Sequence, residues 1–293
     1  MPGSLRHALS LSKEVSPQVS VEEGREPPRR VGASDVAGSE AMSGQLNLFL
    51  DDGGVMNDNS LRRQQWPALV GEFFAPRLGG DFEVWRDANQ SAFEDAWERS
   101  KARLGLGFDA WARAYDIDWL RIMASRVGVA PPDDDDEALT LARQAVLYII
   151  TRVRSAFPGA AEAICRLSDL GCALYTASGS VSWELDVYLA RIGVRERFTA
   201  LYGPDLVQRF KYPFGDGTYY SAIFDHAGVS PSSAVVVDNA LVNLALAAAA
   251  GARTVLVTSA EDRVPSPAGF EPDFRVPVLA DLPALLEREG VLP

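Results

Sequence analysis

The strongest constraint on the fold lies downstream of Phe157-Pro158-Gly159, where helix-length segments alternate with short β-rich runs. Helical patterns over 160–170, 182–192, 218–226 and 242–250 alternate with strand patterns over 173–175, 200–202, 234–237 and 254–258. Parallel strands need crossover connections, and helical crossovers cover the sheet they connect, so this rhythm predicts an α/β fold with a parallel, Rossmann-like sheet between helices. Ligands of such sheets bind at the carboxyl ends of the strands. An earlier apolar run, Leu46 to Leu50, stops abruptly at Asp51-Asp52-Gly53-Gly54, which places acids at a strand's end beside glycines that permit close backbone approach. Asp51, Ser178 and Asp238 each fall just past a predicted strand. If those strands are neighbours, the three residues share one edge.

Between these parts, residues 60–156 read as helical and aromatic, with Phe93, Trp97, Leu104, Trp111, Trp119, Leu120 and Met123 spaced as packed faces. The predicted organisation is therefore a core of 44–59 and 157–293, a helical cap of 60–156 inserted in it, and a disordered extension over 1–43. That extension is rich in Ser, Glu, Pro and Gly without lasting periodicity. Glu14, Glu22, Glu23 and Glu26 argue against an organellar transit peptide, and Met42, just before the first strand, is the expected biological start.

Net charge is −12 and no Lys/Arg-rich stretch could track a phosphate backbone, which argues against a nucleic-acid partner. No apolar run is long enough to span a bilayer. Cys165 and Cys172 cannot build a disulfide framework and read as reduced core residues of a cytoplasmic protein. The acidic run Asp133 to Asp136 lacks calcium-loop spacing and reads as a cap for the next helix, where negative charge opposes the helix dipole. Trp66, Trp85, Trp97, Trp111 and Trp119 read as cap core, and His226 as a partly buried structural residue.

Four ordered motifs carry a family resemblance. The first is Asp51-Asp52-Gly53-Gly54-Val55-Met56-Asn57-Asp58, the second Thr176-Ala177-Ser178-Gly179, the third Lys211-Tyr212-Pro213, and the fourth Val235-Val236-Val237-Asp238-Asn239, with Asn243 following. Together with the cap they make the chain resemble the haloacid dehalogenase-like hydrolases, over Leu46 to about Ser259. Two positions depart from the family pattern: Gly53 stands where the phosphatase members carry a second acid, and Asn239 where an acid usually follows Asp238.

The resemblance implies Asp51 as a carboxylate nucleophile, Lys211 as a fixed positive charge, and Ser178, with Thr176 in reserve, as a hydrogen-bond donor. A magnesium ion, where used, would take the Asp51 carboxylate, the Gly53 carbonyl and a side chain from Asp238 or Asn239. The neutral amide of Asn239 would weaken that site. Gly54, Gly179, Arg62, Arg63 and Asn243 are the candidate substrate contacts. The leading expectation is a magnesium-dependent phosphatase of a small phosphorylated metabolite working through an aspartyl-phosphate on Asp51. Gly53 cannot protonate a leaving oxygen, a role that contributes roughly 10²- to 10⁴-fold. Three alternatives therefore stay open. One is a metal-independent dehalogenase-like hydrolase, although those relatives carry a bulky aromatic at this position. Another is a phosphonate-cleaving enzyme, for which Lys101 is the cap's one lysine. The last is a catalytically silent protein that binds phosphorylated ligands.

Overall fold

The computed structural model describes residues 45–211, 215–259 and 269–292. Expectations about residues 1–43, and about Tyr212 and Pro213, lie outside them. Six strands, β1 (Asn47–Leu50), β2 (Ala173–Ala177), β3 (Phe198–Tyr202), β4 (Ala234–Asp238), β5 (Arg253–Val257) and β6 (Phe274–Val276), form one parallel sheet in the order β3-β2-β1-β4-β5-β6. The first strand thus sits in the middle, between β2 and β4. The sequence pattern anticipates the first five strands. It passes over β6, a three-residue edge strand whose central residue is the exposed Arg275.

Side chains alternate across the sheet because the strand period is two. Leu48, Leu50, Leu174, Val235 and Val237 face one way, packing with residues of helices α5 (Ala160–Asp169), α6 (Ser182–Arg191) and α10 (Leu282–Arg288). Phe49, Tyr175 and Val236 face the other way, toward α8 (Tyr219–Ala227) and α9 (Leu241–Ala249). A single helical turn, α7 (Pro204–Val207), follows β3. Both faces are dry, so strands β2 and β4 are buried along their whole length.

Between β1 and α5 the chain builds four helices, α1 (Asn59–Leu78), α2 (Phe82–Lys101), α3 (Phe108–Val127) and α4 (Asp135–Ile150). Aspartates 58, 81 and 134 cap the first, second and fourth, each accepting two backbone N–H groups that the helix cannot satisfy itself. The acidic run thus caps α4, with Asp134 as the capping residue. These helices have a core of their own, with Val70, Phe74, Trp85, Leu120, Met123 and Ile149 at its centre. The five tryptophans divide. Trp85, Trp119 and Trp66 belong to this core, whereas Trp97 and Trp111 join an aromatic group with Phe108, Phe210 and Tyr115, the last of which also packs against the core. His226 is exposed rather than partly buried, although its Nδ1 lies 3.1 Å from the Tyr202 hydroxyl.

The two chain crossings between sheet and cap are tied together. Asp58 N donates to Ser155 O at 2.7 Å, and Phe157 N to Met56 O at 3.0 Å. Beneath them the buried Asp52 carboxylate accepts from Asn57 Nδ2, whose amide oxygen in turn accepts from Ser155 Oγ. No described helix is long and apolar enough to cross a membrane.

The cap's separate core makes a direct prediction. Trp85→Ala should lower the cap's stability in urea unfolding by about 3–5 kcal/mol, the cost of emptying a large packed site. Phe93→Ala, at a ring that is 57% exposed, should cost less than about 1 kcal/mol.

Candidate active site

Strand register brings the site together. Leu50 lies opposite Thr176 on β2 and opposite Val237 on β4, and Asp51 N donates to Val237 O at 2.9 Å. The next positions along the three strands are Asp51, Ala177 and Asp238. Lys211 reaches all three from a distant segment: its Nζ donates to Asp51 Oδ1 at 2.7 Å, to Ala177 O at 2.8 Å and to Asp238 Oδ2 at 2.7 Å. An ammonium has three donors and no acceptor, so every one of its hydrogens is engaged. Lys211, Asp51 and Asp238 are all buried.

Two carboxylates share this one cation. Burial pushes the Asp51 carboxyl above its ordinary range; Lys211 opposes the shift and Asp238 adds to it. For Lys211, burial works against the charge, but Asp238 and Asp51 outweigh it and hold the ammonium protonated beyond the usual lysine range. Asp238 is fully engaged. Its Oδ1 accepts from Ala240 N at 2.8 Å and Asn243 Nδ2 at 3.5 Å, and its Oδ2 accepts from Lys211 and, at 3.4 Å, from the Tyr220 hydroxyl. Asp51 Oδ2, by contrast, accepts no hydrogen bond from the described residues.

Ser178, just beyond β2, is buried, and its Oγ accepts from Ser180 N at 3.0 Å, which leaves its own hydrogen to donate. Thr176 instead spends its hydroxyl on Tyr202 O at 3.1 Å, inside the sheet. Capping of α6 falls to Asp205, which accepts from Ser182 N at 2.8 Å. Two residues with no sequence signal complete the surroundings. The Tyr219 hydroxyl donates to Ser178 O at 3.0 Å and Tyr202 O at 3.1 Å, and Tyr220 reaches Asp238. Burial pushes both phenols well above their usual range, so they remain neutral donors.

Glycines explain how the first motif turns. Gly54 has φ 97°, a conformation that disfavours any side chain, and a Cβ there would stand 2.4 Å from Asn239 Cγ. Asn239 therefore lies against the Gly54 backbone. A Cβ at Gly53 would meet Asn59 Oδ1 at 2.7 Å and Nδ2 at 2.8 Å, so the Asn59 carboxamide fills the space in which a side chain at 53 would begin. Arg62 is drawn to Asp52, its Nη1 donating to Oδ2 at 3.2 Å, and its buried Nε has no partner. Arg63, the next residue on α1, and Gly179 are exposed. Lys101 pairs with Glu98 at 2.8 Å at the end of α2.

The residues offer a magnesium ion few charged ligands. Of the implied ligands, Asp238 has both oxygens occupied by donors, and Asn239 contributes a neutral amide packed on Gly54. That leaves the Gly53 carbonyl and one unoccupied carboxylate oxygen, on Asp51, for an ion that completes its six oxygen ligands with water and substrate oxygens. Among the described residues no three acidic, His or Cys side chains converge on one point.

A second charged group lies between cap and sheet. Burial pushes Glu184 on α6 up to about 7, opposed by Arg62 and reinforced by Asp116 of α3. Asp116 itself is pushed up to about 6 by burial, opposed by Arg143. A carboxyl with a raised folded-state pKa holds its proton longer when folded, so it destabilises the fold above that pKa and the penalty fades as pH falls toward the ordinary value. The stability of the wild type relative to Glu184→Gln should therefore fall as pH rises from about 5 to about 8. A flat difference in urea midpoints would show that Glu184 does not titrate there.

The arrangement can be compared with known proteins. A haloacid dehalogenase-like hydrolase family model matches residues 57–251, more than half of the chain. No curated protein sequence matches. Among solved structures, the L-2-haloacid dehalogenase of Xanthobacter autotrophicus is 18% identical over 83% of this chain and 99% of its own, with a TM-score of 0.57. A defluorinating L-2-haloacid dehalogenase is 17% identical over 83% and 95%, also with a TM-score of 0.57. The HAD-hydrolase YfnB of Bacillus subtilis, solved bound to magnesium, is 14% identical over 83% and 98%, with a TM-score of 0.57. At such identities the likeness is one of fold, while the family match rests on the sequence itself: the chain belongs to the haloacid dehalogenase-like hydrolases.

Proposed function

We propose that the chain hydrolyses a small anionic substrate by displacement at a carbon centre, through an ester on Asp51 and without a metal. The observation that carries this reading is the Lys211 ammonium, whose three hydrogens go to Asp51, Ala177 and Asp238. It compensates both carboxylates with one protein cation. In the reaction Asp51 Oδ2 attacks the carbon, the C–O bond forms, and the leaving group departs with the electron pair of the broken bond. Water then attacks the ester carbonyl, returning the Asp51 carboxylate and releasing an alcohol and a proton. Lys211 and the Ser178 hydroxyl would stabilise the oxyanion of that second step.

Position 53 departs from the bulky aromatic of the dehalogenase relatives, yet it bears on the leaving group. Neither the glycine there nor the Asn59 carboxamide filling the adjoining space can protonate a departing oxygen. A halide or similarly weak base needs no proton. Arg62, with a buried N–H that has no partner, is the candidate to hold the substrate's negative charge. The solved dehalogenases named above act on 2-haloacids, which suits this chemistry.

A second reading, the magnesium-dependent phosphatase, is favoured by Asn243 Oδ1, a buried acceptor beside Asp238 that nothing donates to and that a cation would satisfy.

Short 2-haloacids should release halide, with activity unchanged by chelator and abolished in Asp51→Asn. Removing the ammonium in Lys211→Met should lower kcat by about 10²–10³, the scale of losing a main charge-stabilising donor. Phosphate release from a phosphate-ester panel, dependent on added magnesium and on Asp51, would instead establish the second reading.

A further inference from the structure

Lys211 lies in a stretch with no regular secondary structure, yet its ammonium meets three acceptors at hydrogen-bonding distance. Something outside the stretch has to hold it. Gln208, which ends α7, has φ 53°, the one positive value among the described non-glycine residues. Its Nε2 donates to Asp205 O at 2.7 Å and, across to the cap, to Asp109 Oδ1 at 3.0 Å in the first turn of α3. Two residues on, the Phe210 ring lies 5.3 Å from Phe108 and 5.1 Å from Trp111, the latter edge-on at 89°. Trp111 is in turn stacked on Tyr115, with centroids 5.3 Å apart and planes 12° from parallel. The segment is thus gripped at 208 and 210 by one end of one cap helix, and the next residue is the lysine.

We propose that Asp109, Phe108 and Trp111 are positioning residues: the cap fixes Lys211 between Asp51 and Asp238 by holding Gln208 and Phe210. Neither Phe108 nor Trp111 has to touch the reacting atoms. Edge-to-face aromatic pairs have a preferred geometry that resists sliding, and the left-handed backbone at Gln208 turns the chain so that 208 and 210 face the cap while 211 enters the sheet's edge. The consequence is functional, because small displacements of a catalytic group cost large factors in rate. The proposal rests on the reading of Asp51 and Lys211 above only in its kinetic arm.

The chain's composition supplies a test that needs no substrate. It has three lysines, Lys13, Lys101 and Lys211. Trace acetylation of the native full-length protein, followed by peptide mass spectrometry, reads each one separately. The Lys101 side chain is 34% exposed and serves as the internal standard, against 5% for Lys211. In the wild type Lys211 should react at least tenfold more slowly than Lys101. Trp111→Ala should raise the Lys211 rate about tenfold, and Asp109→Ala about threefold, with Lys101 unchanged. Val84→Ala, an exposed change on α2 away from the grip, should change neither. If Trp111→Ala unfolds the cap, Asp109→Ala decides alone, since Asp109 is exposed and its removal leaves the aromatic packing intact. Unchanged Lys211 protection in a folded Asp109→Ala protein would overturn the proposal.

The kinetic arm separates the two ideas. With a turned-over substrate, Asp109→Ala should lower kcat about threefold with KM within twofold of wild type. A change confined to KM would make the grip a substrate contact and overturn the positioning role. A wild type without turnover would count against the proposed function, while the acetylation result would still stand or fall on its own.

Discussion

One buried ammonium joins the carboxyl ends of three neighbouring strands. Lys211 bonds to the Asp51 side chain at the end of β1, the Ala177 carbonyl at the end of β2 and the Asp238 side chain at the end of β4. Without it two buried carboxylates would face each other unpaired, an arrangement that costs several kcal/mol unless one takes up a proton. The central strands supply the acids through register alone. The cation comes from a separate segment, so the site exists only when the sheet, the segment after α7 and the cap helix α3 are all in place.

The electrostatics restrict the chemistry. Phosphoryl transfer by a carboxylate pits an anionic nucleophile against an anionic substrate, and a divalent ion usually relieves that repulsion. Here Asp238 already has four donors, and Asn239 is packed on Gly54. In the proposed reaction a single lysine takes the place of that ion, because the carbon attacked carries a weakly basic leaving group. Gly53 and Asn59 fit the same picture, since a carboxamide can orient a substrate or a water but cannot transfer a proton at neutral pH.

Much of this was legible in the sequence because it depends on local rules. The β–α alternation announces the parallel sheet, and Leu46–Leu50 running into Asp51 marks a strand's carboxyl end. What escaped depends on contacts between distant segments. Tyr219 and Tyr220 read as ordinary members of an apolar helix, and only packing shows their hydroxyls meeting Ser178 O and Asp238. Asn59, the first residue of α1, carries no sequence signal, because the space it fills beside Gly53 is set by packing. Trp97 and Trp111 read as cap core like Trp85, yet Trp97 packs on Trp111 and Trp111 on Phe210. Strand β6 is too short, at three residues, to register as a pattern.

The central claim is that Asp51 itself becomes esterified and is then freed by water attacking its own carbonyl. A single turnover with enzyme in excess, run in water enriched in oxygen-18, reads this directly by mass spectrometry of the peptide containing Asp51. The account predicts one heavy oxygen in the Asp51 carboxylate and none in the product of that first turnover. Heavy oxygen appearing in the product, with the Asp51 peptide unlabelled, would mean that water attacks the substrate directly, and would contradict it.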